Sequence, residues 1–425
     1  MRKNHYHEEM LSVEEARKKI LENFSILPSE DKLILDSLGQ ILSENITAKF
    51  PIPPLDNSAM DGYAVVSGDT IGATNNQPVK LKVIGSIAAG YVPTKKIESG
   101  QSMRIMTGAP IPKGADAVIP FEETDEKIRN NFDYIGCNSE VKKGDNIRLS
   151  GEDVLEGKQI LSSGIVINDA HVGVIASLGK SKIKVIKKPI ISIISTGDEI
   201  LEPGEKIKPG KIYNSNAYSI ASMVKSNGGI PNIVGTASDS EESLNMLLDM
   251  AYNSDLIVTS AGVSKGDYDV VKDVLFKRGK IKLWSVRMRP AKPLAFGVLD
   301  IKGKNIPHLG LPGNPVSAMI AFEQFGIPAI KLMMGKKDIL KSSFKIIIDD
   351  EIINYDHRRV YARVLVFKGE DGKLHANLTG NQSSGVLTSM SKANALAICP
   401  EDREKINIGE EINAIFLDDI DDLFF

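Results

Sequence analysis

The stretch Ile190-Ile-Ser-Ile-Ile-Ser-Thr-Gly-Asp-Glu199 decides the fold of the central part of this chain. Its first five residues form an apolar run with the length of a buried strand, and the run passes directly into small and acidic residues. A buried strand ending in such a loop is typical of α/β proteins, which bind ligands at the carboxyl ends of their strands. The sequence therefore predicts a ligand site that begins near Ser195.

Two more small-residue loops follow before residue 334. Ser260-Ala-Gly-Val-Ser-Lys-Gly-Asp267 comes after a predicted buried strand at 255–259, and Gly310-Leu-Pro-Gly-Asn-Pro315 opens a long apolar helix. In the second loop Asn314 suits a helix cap and Pro315 the first helical position. Glycine lets the backbone approach a ligand, and a helix N-terminus favours an anion. The second loop alone is equally compatible with a ligand-free turn, and the first is also compatible with a helix N-terminus whose acidic first-turn residues need no ligand.

The whole of 190–334 alternates strands and helices, which predicts a mostly parallel sheet. Within it, Asn214 or Ser215 should cap a helix that ends at Gly228. Asp239 precedes another helix and has Glu242 three residues later, a capping-box spacing. A third helix is expected at 268–278, followed by strands at 280–286 and 294–298.

The flanking segments have different patterns. Residues 12–27 read as an amphipathic helix with a capping box from Ser12 to Glu15, and 31–38 as a second short helix. Residues 57–148 show short strands, at 79–84, 103–106 and 115–120, and predict a small β domain inserted between 1–53 and 160–185. From Phe344 onward the chain is β again, which predicts a small C-terminal barrel whose last strand pair lies within 406–415.

Composition narrows the protein class. The chain has 425 residues, more than one core usually holds, and a net charge of −3, which gives no indication of nucleic-acid binding. Two cysteines without a CxxC pair favour a reducing cytoplasm. We expect no membrane span, because no continuous apolar run has the required length, and the first residues lack the apolar core of a signal peptide.

Charged residues lie in four of the predicted loops and turns. The carboxylates of Asp198 and Glu199 are hard oxygen ligands that suit Mg²⁺ beside a phosphate-like group, although most acidic pairs are solvated turns. Arg289 and Lys292, set among prolines, suit a rigid anion clamp, with a solvated basic loop as the alternative. Asp269 fits a helix N-terminus without any ligand. Spacing alone makes Asp61 part of an Asp-Gly turn.

Together these residues resemble the molybdopterin molybdenumtransferases, the MoeA-type proteins, and the chain is also similar to the gephyrin E domain. The similarity covers essentially the whole chain. It is carried by Asp56-Asn-Ser-Ala-Met-Asp-Gly-Tyr-Ala64, Arg104-Ile-Met-Thr-Gly-Ala-Pro110, Ser195-Thr-Gly-Asp-Glu199 and Gly310-Leu-Pro-Gly-Asn-Pro-Val-Ser317. Two further segments are similar to family motifs in residue type, namely Arg148-Leu-Ser-Gly-Glu-Asp153 and Thr379-Gly-Asn-Gln-Ser-Ser384.

The resemblance implies a multidomain α/β plus β protein. A discontinuous dimerisation domain would span 1–53 and 148–187, with an inserted β domain at 54–147. A three-layer molybdopterin-binding α/β domain would span 188–335, and a C-terminal β barrel 338–425. It further implies a cytoplasmic homodimer with a site between the α/β domain of one subunit and the β domain of the other.

The implied activity is Mg²⁺-dependent insertion of molybdate into adenylylated molybdopterin, with release of AMP. Transient contacts with the molybdopterin adenylyltransferase and with molybdoenzyme maturation proteins would accompany it. The catalytic group carried over comprises Asp61, Thr107, Glu199, Asp239, Asp269 and Lys292, with Glu199 and Asp269 as metal ligands. Substrate contacts would come from Gly197, Asp198, Ser264, Gly266, Arg289, Pro312, Gly313, Asn314, Pro315 and Ser384. Tungstate remains open as the oxyanion.

The chain departs from the family pattern in the site loops. The family usually has glycine where Ala261 stands, often glycine where Ala291 stands, and often lysine where Arg289 stands. An added methyl group can alter how closely the backbone approaches a ligand.

The alternative to an enzyme is a molybdopterin-binding scaffold or carrier that does not insert the metal.

Overall fold

The computed structural model describes residues 10–128, 133–261 and 270–417. The chain divides into two compact units. The first comprises residues 1–32, 37–43 and 184–425, and the second comprises 33–36 and 44–183. The first contains the α/β sheet and a C-terminal barrel, and the second contains a separate β sheet.

The helices, numbered along the chain, are α1 (Val13–Leu21), α2 (Asp169–Ser177), α3 (Ser215–Ser226), α4 (Glu241–Met250), α5 (Val270–Arg278), α6 (Pro315–Ala321), α7 (Ile327–Met333) and α8 (Leu387–Ser391). The strands up to residue 186 are β1 (Ser29–Leu33), β2 (Ile46–Thr47), β3 (Asn57–Ser58), β4 (Gly62–Val65), β5 (Val79–Ile87), β6 (Gln101–Ile105), β7 (Ala117–Pro120), β8 (Tyr134–Cys137), β9 (Ile147–Arg148), β10 (Gln159–Leu161) and β11 (Lys182–Ile186).

The α/β sheet and its small satellite use β12 (Ile190–Thr196), β13 (Ile200–Leu201), β14 (Ile212–Tyr213), β15 (Ile230–Ala237), β16 (Leu256–Ser260), β17 (Gly279–Ser285), β19 (Pro293–Ile301) and β20 (Lys304–Leu311). The barrel region uses β18 (Met288–Arg289), β21 (Phe344–Ile348), β22 (Ile352–Ile353), β23 (Arg359–Lys368), β24 (Leu374–Leu378), β25 (Ala395–Cys399), β26 (Lys405–Ile406) and β27 (Glu411–Phe416).

The central sheet has the strand order β15-β12-β16-β20-β19-β17. The first four strands are parallel and the last two run antiparallel to their neighbours. Parallel pairing places the carboxyl ends of β12, β16 and β20 side by side, with Ser195 opposite Ser260 and Ser260 opposite Leu311. The prediction of a mostly parallel sheet from 190 onward is confirmed.

Both faces of this sheet are covered, so the domain has three layers. Ile193, Val258 and Leu309 belong to the core on the side of α3, α6 and α7. Ile194 and Ile257 belong to the core on the side of α4 and α5. A strand that is buried on both faces has a continuous apolar sequence, which is why the apolar run at the start of β12 predicted a buried strand.

The helical stretch Pro315–Met333 runs through the larger core. It comprises α6, one π-helical turn at Phe322–Gly326, and α7. With 19 residues and a mean hydropathy of 1.3 it is long and apolar enough to cross a membrane, contrary to the expectation from the sequence. However, 83% of it is buried inside the protein, as in the core helix of a globular domain.

Two helix predictions need correction. The capping box of α1 is present, with the Ser12 hydroxyl accepting from the Glu15 N–H at 3.1 Å, but the expected helix at 31–38 is wrong. That segment is strand β1 followed by a single 3-10 turn at Leu35–Ser37, because eight residues form too short a helix to persist without buried packing. The cap of α4 is Ser240 rather than Asp239.

The C-terminal barrel closes as predicted. Strands β23, β24, β21, β27 and β25 pair in that order, and β25 pairs back with β23. The expected final strand pair is wrong in its partners, because β26 pairs with β22 while β27 lies between β21 and β25. The intervening segment Asn407–Glu410 is a turn that separates two strands of different sheets rather than a hairpin.

The second unit carries a five-stranded sheet in the order β7-β4-β6-β5-β8. Strand β4, which lies between β7 and β6, was missed by the sequence analysis because four residues give too little periodicity. Gly62 begins β4 at a point where a Cβ atom would lie 2.0 Å from the Ile119 carbonyl oxygen, so only glycine fits. Asp61-Gly62 is thus the entry to a buried strand, not a surface turn.

One ionic contact in the barrel gives a test of the fold. His375 Nδ1 lies 3.0 Å from Asp349 Oδ1, and its Nε2 lies 3.3 Å from Asp371 Oδ1. The Asp349 carboxylate first, and Asp371 with it, raise the pKa of His375 above the ordinary value of about 6.5. Because the folded pKa is raised, this contact stabilises the barrel below about pH 6.5 and the contribution is lost as the pH rises through the folded pKa.

We therefore expect an NMR titration to give His375 a midpoint above about 6.5, and Asp349→Asn to lower that midpoint. His375→Gln should reduce thermal stability at pH 5.5 and leave it nearly unchanged at pH 8.5. A His375 midpoint at or below that of a model peptide would contradict the assignment.

Candidate functional site

A cavity of about 670 Å³ lies where the carboxyl ends of β12, β16 and β20 meet, and we call it the strand-end cavity. Its walls are mostly backbone and short side chains, which leaves room for a ligand to contact N–H groups. The predicted site residues that line it are Glu199, Pro312, Gly313, Asn314 and Pro315. Residues of β12 and β16, namely Ser195, Thr196 and Ser260, form its base.

Glu199 places a carboxylate on the wall of this cavity. Its Oε2 lies so close above Gly197 that a Cβ atom on that glycine would approach within 2.3 Å, and Gly197 has a φ of +129° that favours glycine. A side chain at position 197 would displace the Glu199 carboxylate, so Gly197 permits the present direction of the Glu199 side chain. This is the structural role of the Thr-Gly-Asp-Glu motif.

Asp198 and Asp239 come together on neighbouring loops at the same edge of the sheet. The Asp239 N–H donates to Asp198 Oδ1 at 3.2 Å, and the Gly197 N–H donates to the Ala237 carbonyl at 3.1 Å. Both aspartates are exposed, and neither lines the strand-end cavity. The structure thus groups Asp239 with the acidic loop but leaves it outside the cavity wall.

Two asparagines at the start of α3 were missed as site residues. Asn214 caps the helix and accepts from the Ser195 hydroxyl at 2.9 Å. Asn216 donates to the Ser260 hydroxyl at 2.7 Å and to the Gly313 carbonyl at 2.8 Å. Both line the cavity, and Asn216 ties together the loops after β16 and β20. The only sequence signal was the repeated asparagine, which reads equally well as a helix cap.

The loop Gly310–Pro315 behaves as predicted at its backbone. β20 ends at Leu311 and α6 begins at Pro315, with Asn314 at the capping position. The Asn314 side chain makes no capping hydrogen bond, contrary to our expectation. It lines both the strand-end cavity and a second cavity, so it is available to a ligand in either.

The second cavity, of about 740 Å³, lies between the loop Arg289–Pro293 and the barrel, and we call it the barrel-side cavity. It shares Pro293 and Asn314 with the strand-end cavity. The predicted residues Arg289, Lys292 and Ser384 line it. The two cavities are therefore adjacent, with Glu199 in the wall of one and cations in the wall of the other.

The cations of the barrel-side cavity differ in how far they are already engaged. Arg289 stacks on the Tyr355 ring at 4.3 Å and lies 3.7 Å from the buried Asp356 carboxylate. Among the residues that the structure describes, Lys292 makes no ion pair or hydrogen bond through its ammonium group. Lys292 is therefore the cation of the predicted clamp that remains free for an anion.

A buried arginine in the same wall was not predicted. Arg363 is 1% exposed and donates to the carbonyls of Asn381, Gln382 and Ser383 at 3.0–3.2 Å. Burial lowers its pKa to about 10, which still leaves it charged at neutral pH. Its guanidinium group has neutral oxygens as partners, so its positive charge adds to the field of the cavity.

The same contacts explain the position of Ser384. The carbonyls of the loop at 381–383 point toward Arg363, and the Ser384 carbonyl accepts from the Val316 N–H at 3.2 Å. The loop is thereby fixed against the start of α6. No pattern in the sequence marks Arg363, because a buried arginine cannot be distinguished from a surface one by periodicity.

Two alanines in the site have left-handed backbone conformations. Ala261 has a φ of +81° and Ala291 a φ of +74°. Ala261 follows β16, its N–H donates to the Leu311 carbonyl at 3.0 Å, and its methyl group would lie 3.5 Å from a Cβ atom on Gly313. At both positions the resemblance led us to expect glycine, and alanine holds the same left-handed φ only with backbone strain.

Asp61 and Thr107 lie in the second unit and contact each other. The N–H and the hydroxyl of Thr107 donate to Asp61 Oδ1 at 2.7 and 2.8 Å. The backbone N–H of Thr107 is the main cause that lowers the pKa of the Asp61 carboxyl, so Asp61 is ionised at neutral pH. The pairing gives the two signature motifs a common structural role that their spacing did not reveal.

Three predicted residues, Ser264, Gly266 and Asp269, lie outside the described residues. Within the described ranges no group of three or more His, Cys, Asp or Glu side chains is arranged to hold a metal ion. Of the two metal ligands that we predicted, Glu199 and Asp269, the structure therefore describes only Glu199.

Comparisons with known proteins cover nearly the whole chain. Three family models match in order. They are the MoeA N-terminal region (domain I and II) over residues 11–179, the probable molybdopterin binding domain over 192–332, and the MoeA C-terminal region (domain IV) over 345–417.

Relatives and solved structures agree with these matches. The chain is 33% identical to molybdopterin molybdenumtransferase 2 of Mycobacterium tuberculosis over 411 residues, covering 95% of this chain and 98% of the relative. It is 34% identical to the molybdopterin molybdenumtransferase of Nostoc sp. over 407 residues, covering 92% and 90%. A crystal structure of a molybdopterin biosynthesis MoeA protein from a Pyrococcus species superposes with a TM-score of 0.79 at 31% identity, covering 96% and 99%.

The strained alanines provide a test of the site geometry. Ala261→Gly and Ala291→Gly should each stabilise the protein by up to about 1 kcal/mol, because glycine removes the cost of a left-handed φ and only part of that gain is lost to chain entropy. Differential scanning calorimetry should show a higher unfolding temperature for both variants.

Ala221→Gly in α3 is the matched control. Its backbone is helical, so the same substitution should destabilise by about 1 kcal/mol. If Ala261→Gly and Ala291→Gly lowered stability as Ala221→Gly does, the left-handed conformations would be incorrect.

Proposed function

The chain belongs to the molybdopterin molybdenumtransferase family and is a transferase, and on this basis we propose that it inserts molybdate into adenylylated molybdopterin with release of AMP. The observation that carries this proposal is the pair of adjacent cavities that share Pro293 and Asn314 in their walls. One has an acidic wall at Glu199, and the other has a free lysine and a buried arginine.

The division of charge suits the two halves of the reaction. The barrel-side cavity offers Lys292 and the field of Arg363 to a tetrahedral oxyanion. The strand-end cavity offers backbone around Gly313 and the start of α6 to a phosphate group. Both substrates are anions, so bringing them together costs repulsion that fixed positive groups offset.

The transfer step asks the protein for charge stabilisation and positioning more than for a nucleophile. Lys292 would orient the oxyanion beside the dithiolene sulfurs, and Asn314, which lines both cavities, would contact either substrate. Asn216 would hold the loops after β16 and β20 at a fixed separation. Arg289, engaged by Asp356 and Tyr355, contributes charge from a fixed position.

Mg²⁺ fits the strand-end cavity as an ion held partly by substrate. Mg²⁺ is commonly bound by one or two carboxylates together with substrate phosphates and waters. Glu199 supplies one carboxylate on the cavity wall, and Asp269 would be the second. The ion would neutralise phosphate charge as AMP leaves.

We also propose a homodimer in which Asp61 and Thr107 of the partner subunit complete the site. Support comes from their exposure in the second unit and from the ionised state of Asp61, which suits a contact with a metal or a cationic group. The setting would be the cytoplasm, where the molybdopterin adenylyltransferase supplies the substrate and molybdoenzyme maturation proteins receive the product.

A non-catalytic molybdopterin carrier is the competing function. A carrier needs the backbone and cationic surfaces but has little use for a carboxylate facing an anion. The glycine that Glu199 requires beneath its side chain therefore favours the enzyme. Tight molybdopterin binding with no metal insertion under any condition would establish the carrier instead.

Substitutions at Glu199 and Lys292 test the division of roles. With adenylylated molybdopterin, Mg²⁺ and molybdate supplied, Glu199→Gln should lower kcat for AMP release at least about 100-fold, because it removes the carboxylate that would hold Mg²⁺ beside the scissile phosphate. Lys292→Ala should mainly raise the KM for molybdate, by about tenfold or more for the loss of a charged contact.

The controls are Glu205→Gln and Lys225→Ala, which change exposed charges and should leave both constants unchanged. Gly197→Ala should imitate Glu199→Gln, because a methyl group would displace the carboxylate. Unchanged turnover in Glu199→Gln would reject the assigned role of this residue.

Mixed dimers test the contribution of the partner. Under limiting molybdate, pure Asp61→Ala should be nearly inactive, and pure Lys292→Ala should keep about a tenth of wild-type activity or less. In a mixed dimer one site would lack both groups and the other would be intact. Co-refolding equal amounts should then restore about a quarter of wild-type activity by random pairing. If no activity returned while mixed dimers formed, the proposed contribution across the dimer would be rejected.

A further inference from the structure

A third cavity, of about 270 Å³, lies away from the site described above, among α1, the π-helical turn and the barrel. We call it the α1 cavity. Its apolar wall includes Ile327, Pro328 and Ile398, and its polar wall includes Arg17, Lys341 and Arg359. Nothing in the proposed reaction uses these residues.

The three cations of this cavity are not equally neutralised. Arg359 pairs with Glu14 and also contacts Glu401 at 3.1 Å. Lys341 pairs with the buried Glu323 at 3.0 Å. These two cations are therefore compensated by carboxylates.

Arg17 contacts neutral groups instead. Its Nε donates to the Gln324 carbonyl at 2.9 Å, and its Nη2 donates to Gln324 Oε1 at 2.7 Å. The Tyr361 hydroxyl donates to the same amide oxygen at 3.2 Å. Gln324 lies in the π-helical turn, where the backbone offers a carbonyl to a side chain outside the helix. Burial lowers the pKa of Arg17, and the nearby charge of Glu14, which makes no hydrogen bond to it, offsets only part of that effect.

These contacts use one edge of the guanidinium group and leave the other free. Nε and the near N–H of Nη2 are occupied by Gln324. Within the part of the chain that the structure describes, the outward N–H groups of Nη1 and Nη2 make no hydrogen bond. Two parallel N–H groups of this kind match the two oxygens of a carboxylate or phosphate.

We propose that the α1 cavity binds a small oxyanion, a carboxylate or phosphate group, on the free edge of Arg17. The cavity volume accommodates the anion with a few attached carbon atoms, which the wall of Ile327, Pro328 and Ile398 would contact. A bound anion would connect α1, the core helix and the barrel. Tyr361 lines both this cavity and the barrel-side cavity, so the ligand sits one side chain from the proposed reaction site.

Calorimetric titration of the full-length protein with inorganic phosphate and, separately, with butyrate tests the site without any activity assay. Both should bind wild-type protein, and Arg17→Gln should weaken the binding of each at least about tenfold. Arg17→Lys, which keeps the charge but loses the fork, should be intermediate. Lys18→Gln, on the exposed face of α1, is the matched control and should bind as wild type.

A variant that binds the anion more tightly distinguishes a specific binding site from an effect of misfolding. Glu14→Gln removes a carboxylate from the cavity wall and should tighten anion binding several-fold, which general destabilisation cannot do. Titrations in the Lys292→Ala background exclude binding at the barrel-side cavity. Crystals grown with selenate should show anomalous density beside Arg17. The inference is overturned if Arg17→Gln binds like wild type, or if selenate occupies only the barrel-side cavity.

Discussion

The parallel register of three strands is the constraint on which the rest of the site depends. Because β12, β16 and β20 run in the same direction, their carboxyl ends stop at one edge, with Ser195, Ser260 and Leu311 in neighbouring positions. Loops separated by more than fifty residues in the chain thereby meet around one cavity. Asn216 then fixes their separation through the Ser260 hydroxyl and the Gly313 carbonyl.

Charge in the neighbouring barrel-side cavity is arranged by burial rather than by motif. Arg363 is held by backbone carbonyls, and Arg289 is restrained by Asp356 and Tyr355, so both cations are fixed before any ligand arrives. Fixed charges cost no reorganisation when the oxyanion enters, which is the advantage of a preorganised site. Lys292, without an internal partner among the described residues, is the group left to respond to the substrate.

The α1 cavity follows the same logic in a different part of the first unit. There a carbonyl and an amide oxygen of Gln324 orient Arg17, which lines the cavity. The two alanines with a left-handed backbone are different, because their conformation destabilises the loops that form the site. Ala261 carries that cost where its loop packs against Gly313.

The sequence by itself determined the α/β domain, the barrel, the family and the loops at Glu199 and Asn314, because buried strands and glycine-rich turns leave local patterns. It misassigned residues 31–38 and the cap of α4, where local propensity competes with packing. Only the tertiary structure decided that Asp61 meets Thr107, that Arg363 lies buried, that Arg289 is already engaged, and that Asn216 joins two loops. These contacts join residues far apart in the chain, and burial or partnership of a polar side chain has no periodic signature in sequence.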